Sequence, residues 1–174
     1  VGDRRVYIES LESPQEIRQR VELGREIALY LGASSKAILA FLDRHERERI
    51  LAEAEGQLTA RRTPISLDAL RADLAAIRIQ GYAVSVSERL VGAFSVAVPV
   101  FDHRNQVIGS VSISGPTTRW REELAEQYGE LLLAEISQLS RDLGCMQSPL
   151  TMAAPDPPDD SKSYLEYARS PERS

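Results

Sequence analysis

The strongest constraint on the fold is a run of three segments in which bulky apolar residues alternate with small ones. Residues 82–88, 92–101 and 106–114 each place bulky apolar side chains on one face and small or hydroxylated ones on the other. A period of two residues predicts β-strands, because successive side chains of a strand point to opposite faces of a sheet. The segments are joined by short links such as the polar turn at 102–105, which predict antiparallel hairpins rather than parallel crossovers.

The rest of the chain predicts helices around this sheet and further strands at its N-terminal end. Strands are expected at 5–11 and 17–23, and a short one at 27–31. Helices are expected from an N-cap at Ser34 or Ser35, at 45–54, from Ser66 to Gly81, and over a last segment ending at Gly144. Gly56 and 59–64 are expected to form a loop, and Pro99 a bulge or an edge position. This order predicts an α+β fold, an antiparallel sheet flanked by helices.

The 174 residues suffice for one domain with a sizeable core. After residue 148 the chain becomes rich in proline and aspartate, a composition that builds no core. We therefore assign 1–148 to one domain and 149–174 to a flexible or locally docked tail.

A start at Val1 instead of Met indicates a fragment of a longer protein. With no secretory signal, no apolar run long enough for a membrane and a lone Cys145, a cytoplasmic location is expected.

Charge and motifs argue against two broad functions for this segment. The net charge is −5, and Lys and Arg alternate with Glu and Asp, which is unsuited to gripping phosphates. His45 lies in a charged run and His103 in a turn, so both are expected at the surface. No Ser–His or Cys–His pair, phosphate loop or dinucleotide fingerprint is present. We predict no enzyme activity, no cofactor and no metal site.

Small residues share one face of the three late segments. They are Ser85, Ser95, Ser112 and Ser114, with Ala93 and Ala97. Such residues cannot fill the layer above a sheet, so a helix, water or a ligand must do so. A solvent-facing sheet would also tolerate serine, yet such faces usually carry Lys, Glu and Arg. The pattern favours a hydroxyl-lined pocket.

A second ingredient is the turn at 32–35, which precedes a predicted helix. A helix N-terminus offers unpaired N–H groups to an anion, while Lys36 is expected to point to solvent. Gln19 falls on the apolar face of 17–23, as either a strand-end residue or a pocket residue. These features predict a small carboxylate or a similarly oxygenated ligand, held mainly by neutral hydrogen bonds.

Five motifs occur in order along the chain: 35–40 (SKAILA), 74–83 (LAAIRIQGYA), Glu88 with Gly92, 96–102 (VAVPVFD) and 111–116 (VSISGP). On these motifs, residues 4 to 144 resemble the effector-binding domain of IclR-type transcription regulators. The resemblance implies a GAF-like sheet-and-helix domain with an effector pocket on the concave side of the sheet. It also implies a preceding winged helix-turn-helix, absent from this chain, and a homodimer or homotetramer.

The pocket positions of the family fall on the face derived above. The resemblance implies ligand-binding roles for Ala33, Ser34, Ser85, Ser95, Ser112 and Ser114, and for Ile27, Leu29 and Ala93. The chain also departs from the family: Ser35 stands where a glycine is common, Ser85 replaces an acidic residue of some members, and Ser95 replaces a cysteine. The identity of the effector therefore stays open.

The leading hypothesis is a sensor whose effector controls DNA binding through another domain. One alternative is a GAF-like sensor attached to another signalling protein, and the other is a small hydrolase that uses a sheet serine. A hydrolase would need a general base within hydrogen-bond reach of that serine, and the sequence offers no obvious candidate.

Overall fold

The computed structural model describes residues 3–16, 18, 20–61 and 66–147, without the side chains of 57–61. Its elements in chain order are β1 (Arg4–Val6), β2 (Glu26–Ala28), α1 (Ala33–Leu39), α2 (Arg44–Arg61), α3 (Leu67–Gln80), β3 (Ala83–Val86), β4 (Ala93–Phe101), β5 (Val107–Pro116) and α4 (Glu123–Asp142). The three late strands form one antiparallel sheet in the order β3-β4-β5, and β1 pairs with β2 separately. The predicted α+β class is confirmed. None of the described helices is long and apolar enough to cross a membrane.

The register of the sheet aligns the small residues in rows across the strands. Ser95 of β4 lies opposite Ser85 of β3 and Ser114 of β5. The next row along the strands is Ala83, Ala97 and Ser112. Rows of this kind follow from antiparallel pairing with a two-residue period, so the single small-residue face that the sequence predicts is present.

Pro99 lies in β4 beyond Ala97, the last residue of this strand that pairs with β3, so only β5 borders β4 at this position, as the predicted edge position requires. The register between β4 and β5 shifts just after this residue, between Val100 and Phe101, so the alternative, a bulge, lies next to Pro99 and not at it. The backbone N–H of Phe101 donates to Ser140 Oγ at 3.2 Å. The N–H of Phe101 is buried away from water at the irregular end of the strand, and this bond gives it a hydrogen-bond partner.

The two faces of the sheet are covered by different helices. The bulky face packs against α4, where Val96, Val98 and Leu132 are buried together. The small face packs against α1, and Ala97 and Ala37 are both fully buried. Small side chains on sheet and helix allow α1 to approach closely, so α1 fills part of the layer that the serines and alanines leave empty.

The boundaries of α3 follow from residues at its two ends. Ser66 Oγ accepts a hydrogen bond from the N–H of Ala69 at 3.1 Å, and Gly81 ends the helix with φ of 83°. Both predictions are confirmed. The loop predicted at Gly56 is wrong, because α2 continues through this residue to Arg61. A helical glycine costs only about 1 kcal/mol, which neighbouring contacts can offset. Residues 62–64 of the predicted loop lie outside the described residues.

The N-terminal strand predictions are largely wrong. β1 covers only Arg4–Val6, and β2 ends at Ala28 instead of residue 31. Residues 18 and 20–23 are not in a strand, while Ile17 and Gln19 lie outside the described residues. A strand needs a partner for its backbone groups, and here β1 and β2 pair with each other. The alternation at 17–23 reflects charged side chains, such as Arg18, which pairs with Glu12 at 2.8 Å.

We expect Gly129→Ala in α4 to destabilise the domain by about 1 kcal/mol, although alanine normally favours a helix. A Cβ at Gly129 would lie 2.6 Å from Tyr82 Cδ1 and 2.7 Å from Cγ, near the fixed base of that ring. Gly56→Ala in α2 is the control, since a Cβ there meets nothing within 4 Å, and it should stabilise by about 0.5–1 kcal/mol. Urea unfolding of both variants measures the difference. Equal stabilisation by the two would contradict the predicted overlap.

Candidate functional site

Gly32 starts α1 with a backbone conformation that glycine alone adopts readily. Its φ of 81° and ψ of 160° are strained for any residue with a Cβ. The helix begins at Ala33, and neither Ser34 nor Ser35 caps it, so the predicted serine N-cap is wrong. The physical reason is that Ser35 Oγ points elsewhere: it accepts a hydrogen bond of 2.6 Å from Arg5 Nε.

A cavity of about 30 Å³ lies where the small face of the sheet extends past the beginning of α1. Its floor contains the row of Ser85, Ser95 and Ser114, and Ser114 Oγ lies 3.0 Å from Ser95 Oγ. Ser114 is exposed, so the cavity opens to solvent on that side. The complete lining is Arg5, Tyr7, Val21, Gly32, Ala33, Ser34, Ser85, Arg89, Leu90, Ala93, Phe94, Ser95 and Ser114.

The structure brings together most of the predicted site residues. Those that line the cavity are Ala33, Ser34, Ser85, Ala93, Ser95 and Ser114. Ser112 does not: it lies opposite Ala97, in the row that α1 covers. Ile27 and Leu29 are buried outside the lining, and Leu29 belongs to the core around α1, α2 and α3. Gln19 lies outside the described residues.

Sequence reasoning missed the cation in the cavity wall. Arg5 of β1 is only 7% exposed. Besides its bond to Ser35, it lies 3.3 Å from the Tyr7 hydroxyl through Nη2, and its guanidinium lies 4.5 Å from the Tyr7 ring centre. Among the described residues, no acidic side chain pairs with it. Arg5 and Tyr7 are two residues apart, so strand alternation could have placed them on one face, but not over this cavity.

Lys36 is not in solvent, as expected from the sequence, but buried at 2% exposure. Its Nζ lies 2.8 Å from Asp73 Oδ2 of α3 and 2.6 Å from Glu88 Oε1. The other oxygen of Glu88, Oε2, accepts from the Gly32 N–H at 3.3 Å. Lys36 therefore already has two carboxylates, and one N–H at the start of α1 already has an acceptor. The cationic wall of the cavity comes from Arg5, with the exposed Arg89 beside Gly32.

The lining of the cavity is poor in groups that perform acid–base chemistry. It contains hydroxyls and two arginines, but no histidine and no carboxylate. Across the residues that the structure describes, no three His, Cys, Asp or Glu side chains gather as metal ligands would. His45 and His103 are exposed, as expected, and the Cys145 thiol is buried beside Asn105.

The chain is similar to known transcription regulators over most of its length. A family described as "Bacterial transcriptional regulator IclR C-terminal" matches residues 1–141. The HTH-type transcriptional regulator KdgR of Escherichia coli is 37% identical over 82% of this chain and 54% of that protein. The probable HTH-type transcriptional regulator ArcR of Halobacterium salinarum is 40% identical over 71% of this chain and 45% of that protein.

Solved structures agree with these relatives. IclR of Thermotoga maritima matches 83% of this chain and 58% of its own, with 36% identity and a TM-score of 0.75. The C-terminal domain of Escherichia coli KdgR matches 76% of this chain and 85% of its own, with 34% identity and a TM-score of 0.61. The chain spans about half the length of the curated relatives it matches. It belongs to the IclR family of transcriptional regulators, whose C-terminal part it matches.

Proposed function

We propose that this chain is the sensing part of a transcription regulator and that its cavity binds a small organic carboxylate. The observation that carries the proposal is the buried Arg5 in the cavity wall, which has no carboxylate partner among the described residues. A buried cation without a counter-charge is unfavourable. A ligand carboxylate would supply that charge through a charge-assisted hydrogen bond, the stronger kind in proteins.

The floor of the cavity suggests the rest of the ligand. The hydroxyls of Ser85, Ser95 and Ser114 donate and accept hydrogen bonds, so they suit a hydroxyl or carbonyl oxygen next to the carboxylate. Small 2-hydroxy and 2-oxo acids have this chemistry. The cavity of about 30 Å³ holds roughly two waters. An organic ligand therefore requires its walls to separate, and the half-exposed Leu90 is a wall residue free to shift toward solvent.

The partners follow from the family and from charge. Relatives named as HTH-type regulators are about twice as long as the matched region, which supports a winged helix-turn-helix outside this chain as the DNA contact. The net charge of −5 is consistent with DNA contacts made outside this chain, because DNA phosphates attract positively charged surfaces. In this proposal the effector biases one arrangement of a homodimer or homotetramer, and the bias reaches the DNA-binding part. The family match favours such a regulator over a sensor of another signalling protein.

A hydrolase is the second candidate, and the cavity disfavours it. A serine nucleophile needs a base within hydrogen-bond reach, whereas the lining contains no histidine or carboxylate. The domain of residues 1–148 is therefore proposed to bind its effector without turnover.

Thermal unfolding with three matched compounds tests the proposed ligand class. Lactate carries a carboxylate and a hydroxyl, propionate lacks the hydroxyl, and 1,2-propanediol lacks the carboxylate. We expect lactate to stabilise most, propionate less and the diol not at all, because a ligand that binds only the folded state stabilises it by mass action, about 2.7 kcal/mol at a hundredfold excess over the Kd. Equal stabilisation by the diol would refute the anion site. Consumption of lactate would favour an enzyme.

We expect Ser95→Leu to abolish this stabilisation, because Ser95 lies at the centre of the serine row and leucine would fill the space above it. The domain should still unfold cooperatively, since the cavity contains room that the core does not use. Thr118→Leu is the control, at an exposed position just beyond β5 and outside the lining. Retained binding in the Ser95 variant would place the ligand elsewhere.

A further inference from the structure

The cavity has two walls that are far apart in sequence and are joined by the carboxylate of Glu88. One wall is the turn at 32–34, and the other is the loop at 87–92, which connects β3 with β4 and contributes Arg89 and Leu90 to the lining. Glu88 belongs to the loop, yet both of its oxygens are engaged on the other side. Oε1 lies 2.6 Å from Lys36 Nζ, and Oε2 accepts from the Gly32 N–H at 3.3 Å.

Burial strengthens the ion pair between Lys36 and Glu88. Lys36 is buried in the first turn of α1, and Glu88 is only 18% exposed. An ion pair shielded from water is weakened little by salt and is costly to break. The second partner of Lys36, Asp73, is 54% exposed and lies on α3, outside the cavity lining. The two carboxylates of Lys36 therefore have different consequences, since only one of them holds the cavity walls together.

The loop has few other ties to the turn at 32–34. None of its backbone hydrogen bonds among the described residues reaches that turn except the one that Glu88 accepts. Ser87 N–H donates to Ala93 O, Ala93 N–H to Leu90 O and Gly92 N–H to Ser87 Oγ, while the carbonyl of Gly92 accepts from Thr117 N–H at 2.8 Å, beyond β5. Ser87 adopts φ of 56°, an uncommon conformation for a residue other than glycine. At the tip of the loop, Val91 is 89% exposed and Leu90 is 48% exposed. Such a segment opens at low cost unless a contact such as that of Glu88 holds it.

We propose that Glu88 is the positioning residue of the effector cavity, which keeps the 87–92 loop against the 32–34 turn without touching the ligand itself. The expected effect of Glu88 on ligand affinity rests on the proposed function, whereas its expected effect on the position of the loop does not. When Glu88 is lost, Arg89 and Leu90 should leave the cavity wall. Ligand affinity then falls because the wall must be reassembled on binding.

The test uses Glu88→Gln and Asp73→Asn, which each remove one negative charge from Lys36, together with Glu88→Ala. We measure amide hydrogen exchange of Ser87, Gly92 and Ala93 without ligand, and the dissociation constant of lactate by calorimetry. Glu88→Ala should speed exchange at these amides and raise the lactate Kd about tenfold or more, with Glu88→Gln intermediate. Asp73→Asn should change neither quantity by more than about twofold.

Loss of Glu88 leaves the buried Lys36 with the half-exposed Asp73 as its carboxylate, which costs stability, so a double variant is included. Lys36→Met with Glu88→Gln removes the buried charge together with its buried partner, and the carboxylate that remains, Asp73, is exposed enough to be hydrated. The double variant should fold and still show fast exchange at the loop and weak lactate binding. Unchanged loop exchange in this variant, or equal effects of Asp73→Asn and Glu88→Gln, would overturn the proposal. If the wild-type domain binds no lactate but the exchange results hold, the ligand class fails while the positioning role stands.

Discussion

Replacing Arg5 with methionine is expected to raise the dissociation constant of lactate and propionate about 10- to 100-fold. The range corresponds to a charge-assisted hydrogen bond of about 1.5–3 kcal/mol. Arg5 is the buried cation of the cavity wall, and Tyr7 and Ser35 hold its guanidinium in place. Methionine keeps an unbranched apolar stem, so the change removes the charged guanidinium that lies over the Tyr7 ring and retains most of the side-chain volume. Calorimetric titration of both acids measures the effect.

Arg4→Met is the matched control for this experiment. Arg4 is the neighbouring residue of β1, but its side chain is exposed near Glu26 at 3.8 Å and is not part of the cavity lining. Its replacement should change the Kd of either acid by less than about twofold, because exposed ion pairs contribute little. If both variants weaken binding of the acids by the same factor, the general positive charge of β1 matters and not a specific contact. If Arg5→Met binds like the wild type, the carboxylate does not bind at Arg5.

Leu70→Ala in α3 is expected to destabilise the domain by about 2–5 kcal/mol. Leu70 is fully buried, and it belongs to the cluster that joins α1, α2 and α3. Truncation to alanine loses the transfer free energy of the removed carbons and leaves a void that close-packed neighbours fill only in part. The midpoint of urea unfolding, with an unchanged slope, reports this loss.

The control for Leu70 is Ile79→Ala, which removes an apolar side chain of similar size from the same helix. Ile79 is 74% exposed, so its truncation should cost less than about 0.5 kcal/mol. A large effect at Ile79 would mean that another surface covers this side of α3 in solution. A small effect at Leu70 would contradict the assignment of the core to the α1, α2 and α3 cluster.

Local sequence patterns determined the regular parts of this protein. The two-residue period of the late strands predicted the antiparallel sheet and put Ser85, Ser95 and Ser114 on one face. Ser66 and Gly81 marked the ends of α3, because a side-chain cap and a left-handed glycine act within one helical turn. The family resemblance predicted one site from the turn after Gly32 and the sheet serines. The cavity brings Ala33 and Ser34 together with Ser85, Ser95 and Ser114, but not with Ser112.

Tertiary structure decided what the charged residues do. Lys36 looked like a surface residue, but it is buried because Asp73 and Glu88, 37 and 52 residues away, fold against it. Arg5 lines the cavity because β1 pairs with β2 and Ser35 at the start of α1 accepts a hydrogen bond from its side chain. Burial and pairing of a charge depend on segments distant in sequence, whereas strand alternation and helix caps depend on neighbours. The sequence therefore determined the scaffold and the serine row, and only the tertiary structure showed which cation faces the cavity.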